Sequence, residues 1–192
     1  ALEDQHAVRY GMPQDADGEA QRLLTFAMGK MGAHELNYSS DIDLICLFDE
    51  TRFDPSDFME ARSAFVRATR EMSATLSEMT AEGYVFRTDL RLRPDGRQGP
   101  PVAGLNAALR YYDVFGRTWE RQAFVKARAI AGDLDLGREF LDKLEPWIYR
   151  RYLGSADIGE IKALKRRIER RSRKEGKSLH DVKTGHGGIR DI

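Results

Sequence analysis

The segment "GKMGAHELNYSSDIDLICLF", residues 29–48, places two carboxylates at the start of an apolar run. Successive side chains of a β-strand point to opposite faces, so Asp41 and Asp43 share one face, whereas Ile42 and Leu44 share the other. Two carboxylates about 7 Å apart on one strand face repel each other unless water or a cation neutralises them. The pair therefore predicts either a solvated strand end or a site for Mg²⁺, which one or two carboxylates and substrate phosphates typically hold.

The composition is that of a globular chain whose charge is unevenly distributed. The 192 residues are 41% hydrophobic and 32% charged, and the formal net charge is zero. Residues 1–60 contain 13 acidic and 4 basic side chains, whereas residues 150–177 contain 4 acidic and 11 basic ones. This length predicts one domain, or one domain and part of a second. Because the sequence stops within the pattern "GGIRDI", we expect a fragment of a longer protein.

Three further features bear on location and partners. The single cysteine, Cys46, lies on the strand face opposite the aspartates and is expected to be a small core residue rather than a nucleophile. No apolar stretch approaches the length of a membrane span, and the first residues lack the pattern of a signal peptide. The basic segment 150–177 could suggest a nucleic-acid partner, but it lacks the aromatic interleaving that is expected for base stacking. We therefore expect a cytoplasmic setting, with neither a membrane nor a nucleic acid as partner.

Three segments have the pattern of β-strands. "RLLTFAMG", residues 22–29, and "DIDLICLF", residues 41–48, are apolar runs separated by turn-forming residues, which predicts two strands of a hairpin. "YVFRTDLRLRP", residues 84–94, alternates apolar and charged side chains until Pro94 ends the strand.

A long amphipathic helix is predicted between the second and third strands. Asp54 suits the N-cap, Pro55 the first helical position and Gly83 the stop. Apolar side chains recur between them at steps of three and four residues, from Phe58 to Met79. Strands and helices in this order predict an α+β fold.

The third predicted strand carries a third carboxylate. Asp89, Arg91 and Arg93 fall on one of its faces, and neighbouring strands can bring Asp89 close to Asp41 and Asp43. Three carboxylates can hold two Mg²⁺ ions, which activate an attacking oxygen and neutralise charge on a phosphoryl group. The two arginines would then contact phosphate oxygens. The alternative for these arginines is ordinary cross-strand pairing with acidic side chains.

The rest of the sequence is predominantly helical in pattern. One helix is predicted from Asn106 to Phe115, another begins at Thr118, and residues 134–175 are helical throughout. We therefore predict a catalytic domain over residues 1–133, followed by a helical segment over residues 134–192 that begins a further domain.

The spacing of Gly29-Lys30, Asp41-Ile42-Asp43 and a separate third aspartate resembles the nucleotidyltransferase superfamily of DNA polymerase β. This resemblance implies a polymerase-β-like fold, a small mixed sheet with helices. In that superfamily a glycine turn grips a triphosphate, and three acids bind two metal ions. Four longer blocks resemble the family of bifunctional glutamine synthetase adenylyltransferase/adenylyl-removing enzymes: "GKMGAHELNYSSDIDLI", "DLRLRPDGRQGP", "YYDVFGRTWERQAFVKARAIAGD" and "VKTGHGGIRDI".

Two dipeptides resemble one half of that two-part family more than the other. Asn37-Tyr38 and Ile189-Arg190 are similar to the amino-terminal, adenylyl-removing half. The resemblance implies Mg²⁺-dependent phosphorolysis: inorganic phosphate removes AMP from a tyrosine of glutamine synthetase and ADP is released. The alternatives are the adenylylating half, which transfers AMP from ATP, and a non-catalytic module that senses nucleotide or docks a partner. The implied partners are glutamine synthetase and a uridylylated nitrogen-signalling protein.

The resemblance also implies roles for individual residues. The metal ligands would be Asp41, Asp43 and Asp89, and the groups that bind nucleotide or phosphate would be Gly29, Lys30, Ser39, Ser40, Arg91, Arg93, Lys126 and Arg128. Gly29-Lys30 stands where the superfamily has a Gly-Ser turn. Ser39 and Ser40 could bind phosphate or cap the turn before the strand, and Lys126 could be simply solvated.

The glycine-rich block at residues 183–192 has two interpretations. Its backbone N–H groups could face an anion at a helix start, or the block could act as a hinge. No role is assigned to His186.

Overall fold

The computed structural model describes residues 13–15, 17–150 and 154–174. In chain order its helices and strands are β1 (Leu24–Ala27), α1 (Gly29–Gly32), β2 (Ile42–Phe48), α2 (Phe58–Ser77), β3 (Thr88–Asp89), β4 (Val102–Gly104), α3 (Leu105–Phe115), α4 (Thr118–Phe124), β5 (Arg128–Ala131), α5 (Leu134–Ile148) and α6 (Ser155–Lys174). A short 3₁₀ helix spans Glu50–Arg52.

The strands form one mixed, five-stranded sheet around β2. The order β3-β2-β1-β5 holds four of them, and β4 also pairs with β2. β1 runs antiparallel to β2 and β5, whereas β3 and β4 run parallel to β2. The sheet and its helices confirm the α+β fold, and the antiparallel β1–β2 pair confirms the predicted hairpin.

β2 is apolar almost throughout because both of its faces are covered. On one face, Ile45 and Leu47 join a cluster with side chains of β1, α3 and α5. On the other face, Cys46 and Phe48 pack with Phe65 of α2. Burial raises the pKa of Cys46 to about 12, which agrees with its expected place in the core.

Helix α2 starts later and ends earlier than the sequence predicted. Its N-cap is Asp57 rather than Asp54, because the Asp54 carbonyl accepts hydrogen bonds from the N–H groups of Asp57 and Phe58 in a preceding turn. The helix ends at Ser77, and Gly83 instead forms a small antiparallel bridge with Thr80. This bridge reverses the chain toward β3.

The predicted strand over residues 84–94 is reduced to Thr88–Asp89. Beyond Asp89 the chain forms a loop that Arg93 holds together, since its guanidinium donates to the carbonyls of Leu90, Gly99 and Pro100. The alternation predicted Arg91 and Arg93 on a strand face, and this prediction is wrong because the strand ends at Asp89.

The chain divides into two compact units, residues 1–149 and 150–192. Helix α5 lies in the first unit, where Phe140 and Leu144 belong to the same core cluster as β1 and α3. The division therefore falls sixteen residues beyond the predicted boundary at residue 133. Helix α6 is the described part of the second unit, and whether a helical domain begins there stays a prediction. No helix among the described residues is long and apolar enough to cross a membrane.

Candidate functional site

Two of the three predicted carboxylates lie side by side at one end of the sheet. β3 runs parallel to β2, and the register pairs Asp43 with Asp89, which places their backbones about 5 Å apart. Asp41 precedes β2 by one residue and follows the alternation that puts it on the side of Asp43. The structure therefore brings Asp43 and Asp89 together, with Asp41 next to them along the chain.

The end of α2 determines where Asp89 lies. The N–H of Phe86 donates to the Leu76 carbonyl at 2.8 Å, and the N–H of Thr88 donates to the Ser77 hydroxyl at 3.0 Å. The Ser77 hydroxyl also donates to the Phe86 carbonyl at 3.1 Å. These bonds fix residues 86–88 against the last turn of α2, so β3 meets β2 in a single register.

Arg91 pairs closely with Asp89. Its Nε lies 2.8 Å from Oδ1 and 2.6 Å from Oδ2 of the carboxylate, Nη2 also contacts Oδ2, and the Arg91 N–H donates to Oδ1 at 2.8 Å. Burial by itself would raise the pKa of Asp89, but the hydrogen bonds and charge of Arg91 outweigh it, so this pKa lies below its ordinary value. Asp89 is therefore held as a carboxylate with a guanidinium beside it.

Arg87 pairs in the same way with Asp41, and the sequence reasoning missed it. Its Nε donates to Oδ1 of Asp41 at 2.5 Å, its Nη2 donates to the Ser39 carbonyl at 2.6 Å, and its Nη1 donates to the Tyr84 hydroxyl. The hydrogen bond with Asp41 raises the pKa of Arg87. The sequence did contain a signal for it: Arg87 lies two residues before Asp89, and residues two apart in an extended segment point to the same face.

The predicted glycine turn lies directly beside Asp43. Gly29 has a φ of +54°, and a Cβ on it would lie 3.5 Å from Oδ2 of Asp43. The Met28 N–H donates to the Asp43 carbonyl at 2.9 Å. Lys30, which follows, donates from Nζ to Oδ1 of Asn37 at 2.7 Å and so closes the loop between α1 and β2. The glycine is thus at the site, and the lysine is engaged within its own loop.

Ser39 and Ser40 form part of the turn before β2. Ser39 has a φ of +60°, and its hydroxyl lies 3.1 Å from the Tyr84 hydroxyl. The N–H of Ser40 donates to the Asn37 carbonyl at 3.1 Å. These contacts decide between neither interpretation, and turn capping and phosphate binding by the two serines both stay predictions.

Lys126 and Arg128 contact α1 and the loop that follows it. Lys126 pairs with Glu35 at 2.6 Å. Arg128 donates to the carbonyls of Gly32 and Met31 at 3.1 and 3.2 Å. Their assignment to nucleotide phosphates, like that of Arg93, stays a prediction, because the contacts of these three side chains are with carbonyls and a carboxylate of the chain itself.

The three aspartates, here called the acidic cluster, offer the kind of ligand atoms that Mg²⁺ prefers. Asp41, Asp43 and Asp89 offer hard carboxylate oxygens, with no thiol or imidazole among them. Across the described part of the chain, no group of three or more His, Cys, Asp or Glu side chains has the geometry that could hold a metal ion. Arg87 pairs with the carboxylate of Asp41, and Arg91 pairs with that of Asp89. Metal binding by these aspartates stays a prediction. His186, the block 183–192 and the Ile189-Arg190 pair lie outside the described residues.

A family model and similar curated proteins both relate this chain to the same enzyme family. A sequence model described as "Glutamate-ammonia ligase adenylyltransferase" matches residues 1–143. Three similar proteins carry the name bifunctional glutamine synthetase adenylyltransferase/adenylyl-removing enzyme. They come from Mesorhizobium japonicum (46% identical over 88% of this chain and 17% of the relative), Thioalkalivibrio sulfidiphilus (42%, 96% and 19%) and Brucella suis (42%, 100% and 20%).

The chain spans about a fifth of the length of these curated relatives. The match nevertheless includes β1, β2, β3 and the acidic cluster, since all of them lie within residues 1–143. The chain therefore belongs to the glutamate-ammonia ligase adenylyltransferase family.

Proposed function

We propose that this chain carries the catalytic carboxylates of the adenylyl-removing half of such an enzyme. The proposed reaction removes AMP from adenylylated glutamine synthetase by phosphorolysis, with Mg²⁺ and inorganic phosphate. The observation that carries the proposal is the register of Asp43 with Asp89, directly beside the Gly29 turn. An acidic pair next to a glycine turn suits chemistry on a phosphoryl group.

The reaction exchanges one phosphorus–oxygen bond for another. An oxygen of inorganic phosphate forms a bond to the phosphorus of tyrosine-linked AMP, and the bond from that phosphorus to the tyrosine oxygen breaks. The tyrosine oxygen takes up the proton that the attacking hydrogen phosphate loses, and the products are ADP and unmodified tyrosine. The protein has to place the two reactants in line and stabilise the charge that develops between them.

The residues of the site divide this work. Asp41, Asp43 and Asp89 would hold the cation, and Mg²⁺, when bound, would neutralise negative charge on the phosphoryl group. The Gly29 turn lies beside Asp43, and its backbone would contact the phosphate. Arg91, whose side chain is 59% exposed, would bind an oxygen of the attacking phosphate.

Two other functions fit the same site. The adenylylating reaction from ATP is one, because the names of the relatives include both activities. A non-catalytic module that senses nucleotide or docks a partner is the other. The resemblance of Asn37-Tyr38 to the adenylyl-removing half favours phosphorolysis, and Tyr38 is fully exposed beside the site. A uridylylated nitrogen-signalling protein as regulator, and a cytoplasmic location, are parts of the same proposal.

The test is to incubate the chain with adenylylated glutamine synthetase, phosphate and Mg²⁺ and to measure ADP. A parallel reaction contains unmodified glutamine synthetase and ATP. Phosphate-dependent ADP release supports the proposal, whereas AMP transfer from ATP without ADP release assigns the chain to the adenylylating half. Nucleotide binding with neither reaction favours the non-catalytic module.

A further inference from the structure

We propose that Arg87, together with Tyr84, is a positioning residue that orients the Asp41 carboxylate for a bound divalent cation. This inference rests on the proposed function, because it concerns the proposed cation site. Neither residue is part of the set that the sequence assigned to the site. What identifies them is the set of contacts that join them to Asp41 and to the turn before β2.

The guanidinium of Arg87 has three partners on three different nitrogens. Nε donates to Asp41, Nη2 to the Ser39 carbonyl and Nη1 to the Tyr84 hydroxyl. The same guanidinium lies over the Tyr84 ring, 5.2 Å from its centroid. A planar group bonded at each nitrogen and stacked on an aromatic ring has a single orientation. The oxygen that it bonds on Asp41 is therefore fixed as well.

Asp41 needs such a constraint because nothing in the sheet provides it. The residue precedes β2, and its side chain is 53% exposed. The first backbone hydrogen bond at this end of the sheet runs from the N–H of Ile42 to the Arg87 carbonyl at 2.9 Å. An exposed carboxylate outside a strand would otherwise sample several rotamers and lose conformational entropy on binding a cation. Arg87 restrains both the backbone beside Asp41 and its side chain.

Tyr84 restrains Arg87 and the turn at the same time. Its hydroxyl accepts a hydrogen bond from Arg87 and lies 3.1 Å from the Ser39 hydroxyl. Ser39 has a φ of +60°, a conformation that is uncommon for a residue other than glycine. The Ser39 carbonyl and hydroxyl both face this pair of side chains, so the turn that delivers Asp41 is held from one side by Tyr84 and Arg87.

A positioning role and a simple counter-ion role predict opposite effects. If Arg87 is only a positive charge near the site, it repels a cation, and its removal should strengthen cation binding. If it orients Asp41, its removal should weaken binding despite the lost repulsion. Arg87 is 48% exposed in its side chain, so solvent screens the repulsion and orientation is expected to dominate.

The experiment is calorimetric titration of Mg²⁺ into the whole 192-residue chain and four variants. Arg87→Lys keeps the charge and loses the planar fork, Arg87→Gln loses both, and Tyr84→Phe removes one hydroxyl with no change in charge. The control is Arg97→Gln, since the charge of Arg97 acts on Asp89 but Arg97 has no hydrogen bond to a carboxylate among the described contacts. Circular dichroism and the urea midpoint show whether each variant is folded.

We expect the Mg²⁺ dissociation constant to rise about tenfold in Arg87→Lys and Arg87→Gln, the usual size of an effect from a partner that orients a metal ligand. Tyr84→Phe should raise it about threefold, and Arg97→Gln should leave it unchanged or lower it. If the Arg87 variants fail to fold, Tyr84→Phe decides alone.

Two results would overturn the inference, and they have different meanings. Wild-type affinity in Arg87→Lys and Tyr84→Phe, with tighter binding in Arg87→Gln, would make Arg87 a mere counter-ion and leave the proposed function standing. A wild-type chain that binds no Mg²⁺ would remove the cation site itself, and the proposed function would fail together with the inference.

Discussion

Asp43 lies between the other two elements of the proposed site, β3 and the Gly29 turn. Its register partner is Asp89, its carboxylate faces Gly29, and its own carbonyl accepts the Met28 N–H. Within β2 it is the position that is not fully buried, whereas its neighbours on both sides are core residues. A partly buried carboxylate in an otherwise apolar strand costs free energy unless it is paired or hydrogen-bonded, and such positions are concentrated at functional sites.

Asp43→Asn should therefore separate activity from folding. The change preserves shape and removes one negative charge, so the proposed phosphorolysis is expected to fall at least about a hundredfold, because the proposed cation site would lose a ligand charge. The thermal midpoint in metal-free buffer should stay level or rise, since repulsion between neighbouring carboxylates is relieved. The exposed Asp113→Asn serves as the control and should retain activity. Phosphorolysis near the wild-type rate in Asp43→Asn would contradict the assignment.

Asp15 provides a pH-dependent contribution to stability far from the site. Its carboxylate accepts hydrogen bonds from the N–H groups of Asp17 and Glu19, from Gln21 and from Arg52. Burial alone would raise the pKa of Asp15, but the Glu19 N–H and the Arg52 guanidinium outweigh it, and the pKa lies below its ordinary value of 3.8. A pKa lowered by folding means stability that is present above 3.8 and is lost as the pH falls through the folded-state value.

Asp15→Asn should lower the urea midpoint at neutral pH, because the ion pair with Arg52 is lost. The difference between wild type and variant should be constant above about pH 5 and should shrink as the pH falls below 3.8, because the wild-type carboxylate loses its charge as the pH falls through its lowered folded-state pKa. Urea titrations of both proteins at four pH values between about 3 and 5 measure this difference in midpoint. A gap of the same size at pH 3 would show that the charge of Asp15 is not what stabilises the fold.

At the scale of elements, α1 begins at Gly29 of the proposed site and ends at Gly32, which lies against the backbone of Ala27 and Lys126. A Cβ on Gly32, its last residue, would lie 1.8 Å from the Lys126 carbonyl oxygen and 2.6 Å from the Ala27 carbonyl oxygen. Both atoms belong to the backbone and cannot rotate away. Only glycine therefore allows α1 to lie against the segment that leads into β5.

Gly32→Ala is expected to reduce the free energy of unfolding by at least about 2 kcal/mol, since the backbone of α1 or of residue 126 has to move. Urea titration followed by tryptophan fluorescence measures the change. Gly159→Ala in α6 is the matched control, because a Cβ there meets no atom within 4 Å. An unchanged midpoint in Gly32→Ala would mean that this close approach does not exist.

The sequence predicts those elements that follow a simple period. The apolar run of β2 and the steps of three and four in α2 reflect burial on fixed faces, and both elements were found. The segment after Asp89 alternates like a strand but forms a loop, because Arg93 turns its guanidinium toward three carbonyls. Alternation records where side chains point in an extended chain, and it carries no information about a side chain that bonds its own backbone.

The same limit explains which parts of the site could be predicted. Asp41, Asp43 and Asp89 share a face or a register, so alternation and strand pairing were enough to bring Asp43 and Asp89 together. Arg87 acts through contacts with Ser39 and Tyr84, 48 and 3 residues away along the chain. The contact with Ser39 exists only because β3 pairs with β2, and a periodic pattern cannot reveal it.

At the scale of the whole molecule, α5 decides where the first compact unit ends. Four of its side chains are buried in the main core cluster: Phe140, Leu144, Trp147 and Ile148. Trp147 packs on Tyr112 and Phe124, with ring centroids 5.2 and 5.9 Å apart. Burial of one such side chain contributes about 1.5–3 kcal/mol, so the four together approach the whole net stability of a domain, which is about 5–15 kcal/mol.

A chain that ends at residue 133 should therefore not fold, whereas one that ends at residue 149 should. We expect the 1–149 chain to unfold cooperatively in urea, because it retains the complete compact unit. The 1–133 chain should show no cooperative transition, since the core side chains that α5 covers would be exposed to water. Far-UV circular dichroism across a urea gradient, with amide proton dispersion by NMR as a second readout, distinguishes the two. A cooperative transition in the 1–133 chain at the midpoint of the 1–149 chain would show that α5 adds little to the core.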